Sequence, residues 1–124
     1  MQVVYDTLTG NVRRFVQALC AEWPAPACPV QSGAPDGAFL LVTYTFGTGE
    51  VPDSTRRFLQ AHAAGLRGVV ASGSYHWGAN FARAGDRISA EYGVPVVAKL
   101  NKGGTEADRR AVLDWLRSNH GPMD

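Results

Sequence analysis

Gln2-Val3-Val4-Tyr5-Asp6-Thr7-Leu8-Thr9-Gly10-Asn11-Val12-Arg13-Arg14-Phe15-Val16 is the stretch on which the fold turns. Val3-Val4-Tyr5 is a continuous apolar run, the pattern of a strand buried on both faces of a parallel sheet. A polar loop then gives way to a different period. Val12, Phe15, Val16, Leu19, Cys20 and Trp23 fall at i, i+3, i+4, i+7, i+8 and i+11, one stripe of a helix. Strand, loop and amphipathic helix together open a βα unit.

The alternation repeats downstream. Phe39-Leu40-Leu41-Val42, Val69-Val70-Ala71 and Val94 through Leu100 are further strand-like runs. Phe58, Leu59, His62 and Ala63 begin a second helix after Pro52-Asp53, a helix-start signal. Phe81, Ala84, Ile88 and Tyr92 mark a third, stopped by Gly93 and Pro95, and Val112, Leu113, Trp115 and Leu116 a fourth. Ahead of the fourth, Thr105-Glu106-Ala107-Asp108 has the form of a capping box with Asp in place of Glu. Pro24 to Gly37 holds four of the seven prolines and leaves room for one short edge strand around Ala27–Val30. The order β-α-β-β-α-β-α-β-α, with right-handed crossovers, predicts a doubly wound three-layer α/β sandwich. Its five-stranded parallel sheet is expected in the order 2-1-3-4-5, as a single domain over residues 1–124.

Length and charge set the bounds. For 13.3 kDa, surface scaling gives roughly 6,400 Å² exposed when folded against roughly 19,300 Å² unfolded, room for one unstapled core. The 12 basic and 11 acidic residues leave a formal charge of +1, and Arg13-Arg14, Arg56-Arg57 and Arg109-Arg110 lie in separate segments. That scatter argues against nucleic acid, whose binders carry a basic stripe. No apolar stretch approaches membrane-spanning length, and the N-terminus lacks the pattern of a signal peptide. A soluble, cytoplasmic chain is the expectation. Cys20 and Cys28 match no disulfide scaffold or redox dithiol motif.

In doubly wound sheets, ligands bind beyond the carboxyl ends of the strands where the winding reverses. Here that is between the first and third strands, which draws three loops together. In the first, Thr7, Thr9, Gly10, Asn11 and Val12 precede a helix N-terminus, whose free N–H groups and dipole favour an anion. The hydroxyls complete a phosphate cradle without any cation, although Thr-Gly-Asn is also ordinary turn chemistry. The second loop, Thr43-Tyr44-Thr45-Phe46-Gly47-Thr48-Gly49-Glu50-Val51-Pro52, and the third, Ser72-Gly73-Ser74-Tyr75-His76-Trp77-Gly78-Ala79-Asn80-Phe81, set aromatic rings and glycines at the sheet mouth. Such rings suit a planar ligand, unless they simply tuck over the end of the sheet. A phosphate and a flat ring system in one molecule fit flavin mononucleotide (FMN) best.

Tyr5–Val16 (Y-D-T-L-T-G-N-V-R-R-F-V), Leu41–Thr45 (L-V-T-Y-T) and Ala71–Ala82 (A-S-G-S-Y-H-W-G-A-N-F-A) resemble the NrdI family. These are flavodoxin-like partners of class Ib ribonucleotide reductase. Val51–Leu59 and Tyr92–Val96 follow the same pattern, so the resemblance runs over essentially the whole chain. It implies non-covalent FMN whose reduced form reacts with O2. The product is an oxidant, with superoxide the expected species, for the dimanganese centre of the reductase small subunit. Oxidation of that centre generates a tyrosyl radical. The implied partners are therefore that subunit, O2 and an unidentified reductant for the flavin.

Carried over by position, Thr7, Thr9, Gly10, Asn11 and Val12 would hold the phosphate. Thr43, Tyr44, Thr45, Phe46 and Gly47 would line one side of the ring system. Ser72, Gly73, Ser74, Tyr75, Trp77, Gly78, Asn80 and Phe81 would line the other, with Trp77 the first choice for stacking. The chemistry would lie on the flavin, so no side chain is assigned a catalytic role and the chain is a redox accessory to its partner enzyme. A general electron-transfer flavodoxin is the alternative, and a flavin-free interaction domain a third reading.

Two positions depart from ordinary flavodoxins. Asp6 cannot hydrogen-bond a phosphate dianion, so it is expected to accept from N–H groups of its own loop. Val12 has only its backbone N–H to offer. The Gly47-Thr48-Gly49 turn is short, which would leave the flavin edge open to O2. Only Glu50 is acidic across the second and third loops, which favours a flavin that tolerates full reduction. His76 lacks partners at metal-ligand spacing, no metal site is expected, and His62 reads as a core histidine.

Overall fold

In a computed structural model, residues 1–24, 27–32, 35 and 37–119 are described. The elements run β1 (Gln2–Tyr5), α1 (Asn11–Cys20), β2 (Ala27–Pro29), β3 (Phe39–Tyr44), α2 (Asp53–His62), β4 (Leu66–Gly73), α3 (Arg83–Tyr92), β5 (Val96–Asn101) and α4 (Glu106–Asn119). All strand pairs are parallel and the order is β2-β1-β3-β4-β5, the arrangement expected from the sequence.

Two apolar clusters cover the two faces. On one, Phe15, Val16 and Leu19 of α1 and Val112, Leu113 and Leu116 of α4 pack on Val3, Leu40, Val42 and Val70. On the other, Phe58 and Leu59 of α2 and Ile88 of α3 pack on Val4, Phe39, Leu41 and Val69. Alternate residues of each strand thus feed opposite layers, so the central strands read as unbroken apolar runs. Cys20 joins the first cluster and Cys28 the second, on opposite sides of the sheet. His62 is half-buried at the end of α2, its ring 4.7 Å from that of Phe58.

The helix signals resolve as hydrogen bonds. Thr105 N–H donates to Asp108 Oδ2 at 2.8 Å, and Asp108 N–H to Thr105 Oγ1 at 3.2 Å, so the Thr–Asp capping box closes reciprocally. Helix α3 ends at Gly93 in the left-handed conformation, its N–H donating to Ser89 O. Several boundaries differ from expectation, β5 among them, which begins at Val96 rather than Val94. β2 stops at Pro29, and Val30 opens a 3₁₀ turn instead. β4 begins at Leu66, because Arg67 and Gly68 interrupt the apolar run while the strand carries on through a register shift at Arg67. Phe81 precedes α3, which starts after Ala82.

Candidate functional site

The carboxyl ends of β1, β3, β4 and β5 open into a cleft of about 320 Å³, within the usual small-molecule range. From the first loop it takes Thr7, Leu8, Thr9, Asn11 and Val12, and from the second Tyr44 and Thr45. Ser72, Gly73, Ser74 and Trp77 come from the third loop, and Lys102 from the loop after β5. Ten of the residues singled out in the sequence therefore share one cavity. Leu8 and Lys102 had no motif to mark them. All four exposed large apolar side chains among the described residues, Leu8, Phe46, Tyr75 and Trp77, lie in the three loops.

The first loop is held open toward the cleft. Gly10 sits at φ 93°, a left-handed conformation costly for other residues. Its N–H donates to Thr7 Oγ1 at 3.1 Å, which leaves the Thr7 hydroxyl hydrogen free to donate elsewhere. No side chain caps α1, so the first-turn N–H groups of Asn11, Val12 and Arg13 lack an intrahelical acceptor. The Val12 side chain belongs to the core cluster, which leaves its N–H as the polar group it can offer the site. Arg14 Nη2 donates to Asn11 Oδ1, so the Asn11 amide presents its NH2 end to a ligand. A Cβ on Gly10 would lie 3.2 Å from Arg14 Nη1 and 3.6 Å from Arg13 Nη2. Two guanidinium groups therefore flank this loop beside its hydroxyls.

Asp6 lies beneath the loop, 2% exposed. Its partners are not N–H groups of its own loop, as expected, but hydroxyls from the N-terminal turn of α2. Ser54 Oγ donates to Asp6 Oδ2 at 2.5 Å and Thr55 Oγ1 at 2.7 Å. Because Thr55 spends its hydrogen on Asp6, it accepts from Thr43 Oγ1 at 2.8 Å. Thr43 is thereby placed under the cleft rather than in its wall. Burial pushes the Tyr44 phenol above its ordinary pKa, and the Asp6 carboxylate adds to the rise, partly offset by a hydrogen bond with Ser54. Tyr44 is thus kept protonated in the wall of the site.

The second loop is a tight hairpin. Phe46 and Glu50 exchange both backbone hydrogen bonds at 2.8 Å around Gly47-Thr48-Gly49. Arg87 of α3 fastens it through Nε to Gly49 O at 2.6 Å. Phe46 is 53% exposed and lines, with Tyr44, a separate cleft of about 800 Å³ between α2 and α3. Gly47 lies in the turn, outside both linings.

In the third loop Tyr75–Asn80 forms 3₁₀ turns broken at Gly78. Ser74 starts the segment by accepting from His76 N–H, and Tyr75 N–H donates to Asn101 Oδ1. The Tyr75 and Phe81 rings pack on each other at 4.7 Å, and Asn80 Oδ1 accepts from Arg83. Tyr75, Gly78, Asn80 and Phe81 accordingly lie outside the cleft lining, while Trp77 is in it. A Cβ on Gly73 would sit 2.6 Å from Ala82 N, so only glycine lets the loop close against the end of β4.

A doubly wound sheet with a polar helix N-terminus and an aromatic wall at its switch point is the flavodoxin-like class of protein. A short-chain flavodoxin associated with a non-canonical PDU bacterial microcompartment superposes with TM-score 0.72 at 18% identity, over 94% of this chain and 93% of that one. The Fusobacterium nucleatum flavodoxin bound to flavin mononucleotide gives TM-score 0.63 at 16% identity, over 94% of each chain. The family model for NrdI flavodoxin-like proteins matches residues 3–114, and this chain belongs to that family. It is 66% identical to Protein NrdI of Deinococcus radiodurans over 94% of this chain and 82% of that protein. To Protein NrdI of Macrococcus caseolyticus it is 43% identical, over 87% and 82% respectively. No helix among the described residues is long and apolar enough to cross a membrane.

Proposed function

We propose that this chain binds FMN non-covalently in the 320 Å³ cleft and serves a class Ib ribonucleotide reductase. In that role it supplies an O2-derived oxidant, superoxide being the expected species, to the dimanganese site of the small subunit, where the tyrosyl radical forms. The observation that carries the FMN reading is the joining of Thr7, Thr9 and Asn11, at an uncapped helix N-terminus, with Tyr44 and Trp77 in one cavity. Family membership supports the reductase as partner.

The residues fit the group. The N–H groups of Asn11, Val12 and Arg13, with the Thr7 and Thr9 hydroxyls, would hold the phosphate at the positive end of α1. Gly73 and Ser74 would offer backbone groups to the ring system, and Tyr44 and Trp77 would contact it, worth about 0.5–1.5 kcal/mol per aromatic pair beyond burial. Bound and reduced, FMN supplies one electron to O2, giving superoxide. The chain's own part is to orient the flavin and leave one edge reachable. The tight Phe46–Glu50 turn and the 39% exposure of Trp77 favour such an opening. No carboxylate lines the cleft among the described residues, and Lys102 does. That charge balance favours full reduction of the flavin over what acidic flavodoxins allow.

The test is direct. The purified full chain should be yellow and release FMN on denaturation, and the apoprotein should take FMN back in equal proportion. A colourless chain that cannot be reconstituted with FMN contradicts the reading.

A further inference from the structure

Lys102 stands in a conformation that its side chain makes costly. Its φ of 57° is one of two positive values at non-glycine residues among those described, and the other, Ala82, abuts Gly73 of the same site. A left-handed L-residue persists only where its surroundings over-determine it. Here they do: Lys102 N–H donates to Gly73 O at 2.7 Å, and its carbonyl accepts from Ser72 Oγ at 2.5 Å. Glycine would adopt the same turn without strain, and Gly103 and Gly104 follow directly. The backbone geometry alone therefore gives no reason for a lysine.

The surroundings supply one. Among the described residues Lys102 is the only charged one in the lining of the cleft. Its loop abuts the first turn of α1, since a Cβ on Gly103 would lie 3.8 Å from Asn11 O and 3.9 Å from Asn11 Oδ1. Arg13 and Arg14 converge on Gly10 at the same end. Among the described residues the Lys102 ammonium has no ion pair or hydrogen-bond partner, and the nearby Asp108 carboxylate is engaged in capping α4. Lys102 thus lines the cleft from a loop that abuts the first turn of α1, whose N–H groups are open to an anion.

We infer that Lys102 is a specificity-determining residue of this site, its ammonium pairing with the phosphomonoester of the ligand and so selecting phosphorylated over unphosphorylated flavin. The inference rests on the FMN reading above. The apo form of the full chain and its Lys102→Met and Lys102→Gly variants are titrated with FMN and with riboflavin, and their thermal midpoints are recorded. Both variants should bind FMN about tenfold more weakly, the scale of a lost charge-assisted contact, with riboflavin affinity unchanged and a shallower salt dependence for FMN. Lys102→Gly should at the same time melt higher, since it relieves the left-handed strain. Weaker cofactor binding in a more stable protein is a result that a merely structural lysine would not give. Equal losses for both flavins, or unchanged FMN affinity, overturn the inference. A wild-type chain that binds neither flavin overturns the FMN reading itself.

Discussion

The Thr55 hydroxyl donates to the Asp6 carboxylate across 2.7 Å, fastening the start of α2 to the end of β1 beneath the cleft. Asp6 has no cation beside it among the described residues and is solvated by the Ser54 and Thr55 hydroxyls. Asp6→Ala would leave both hydroxyls without their acceptor, at a cost of about 2–4 kcal/mol. Asp6→Asn keeps an acceptor oxygen and should lose less than half as much. Urea denaturation of both variants measures this, and an Asp6→Ala change below about 0.5 kcal/mol would mean the bonds carry no net weight.

Thr9 reaches the cleft from the exposed side of the first loop, with no protein hydrogen bond among the described residues. Thr9→Val keeps the shape and removes the donor. FMN affinity should fall by about 1.5–3 kcal/mol, the value of a hydrogen bond to a charged group. An unchanged dissociation constant would remove Thr9 from the cradle.

Burial pushes the thiols of Cys20 and Cys28 and the phenols of Tyr44 and Tyr92 above their ordinary pKa values. In each case the folded state disfavours the anion. The unfolded chain therefore releases these protons first, and stability should decline as pH rises through the ordinary thiol and phenol range. The thiols should also react with a disulfide reagent more slowly than free cysteine at pH 8. Rapid modification of the native protein at that pH would contradict the assignment.

The cleft lining carries Lys102 and no carboxylate among the described residues, and Glu50 lines the α2–α3 cleft instead. The potential for the second one-electron reduction of bound FMN should therefore be higher than in acidic flavodoxins. Spectroelectrochemical titration reads it directly. A strongly negative second potential would show that the buried Asp6 charge outweighs the cations.

Residues whose role is set locally were readable in the sequence. The continuous runs of β1 and β3, the stripe of α1 and the Thr105–Asp108 box each follow from near-neighbour periodicity or hydrogen bonding, and the strand order follows from the handedness of parallel crossovers. Relationships made only by folding were not. Nothing near Asp6 announces that Ser54 and Thr55 will be its partners, because they lie 48 and 49 residues further along the chain and come beside it only when the sheet forms. Lys102 follows a strand whose loop carries no motif, so its place in the cleft comes from its bonds to Ser72 and Gly73 at the end of β4. The third loop is rich enough in aromatics to suggest that all its rings face a ligand, yet Tyr75 and Phe81 pack on each other while Trp77 lines the cleft.

The proposed role is conversion of reduced FMN and O2 into an oxidant for a dimanganese partner. The most direct test reduces the FMN-loaded protein without oxygen, mixes it with a class Ib small subunit holding two manganese(II) ions, admits O2, and follows tyrosyl radical by electron paramagnetic resonance. Radical should form only when both the reduced protein and O2 are present. Absence of radical, when a control activator yields it under the same conditions, would overturn the proposed role.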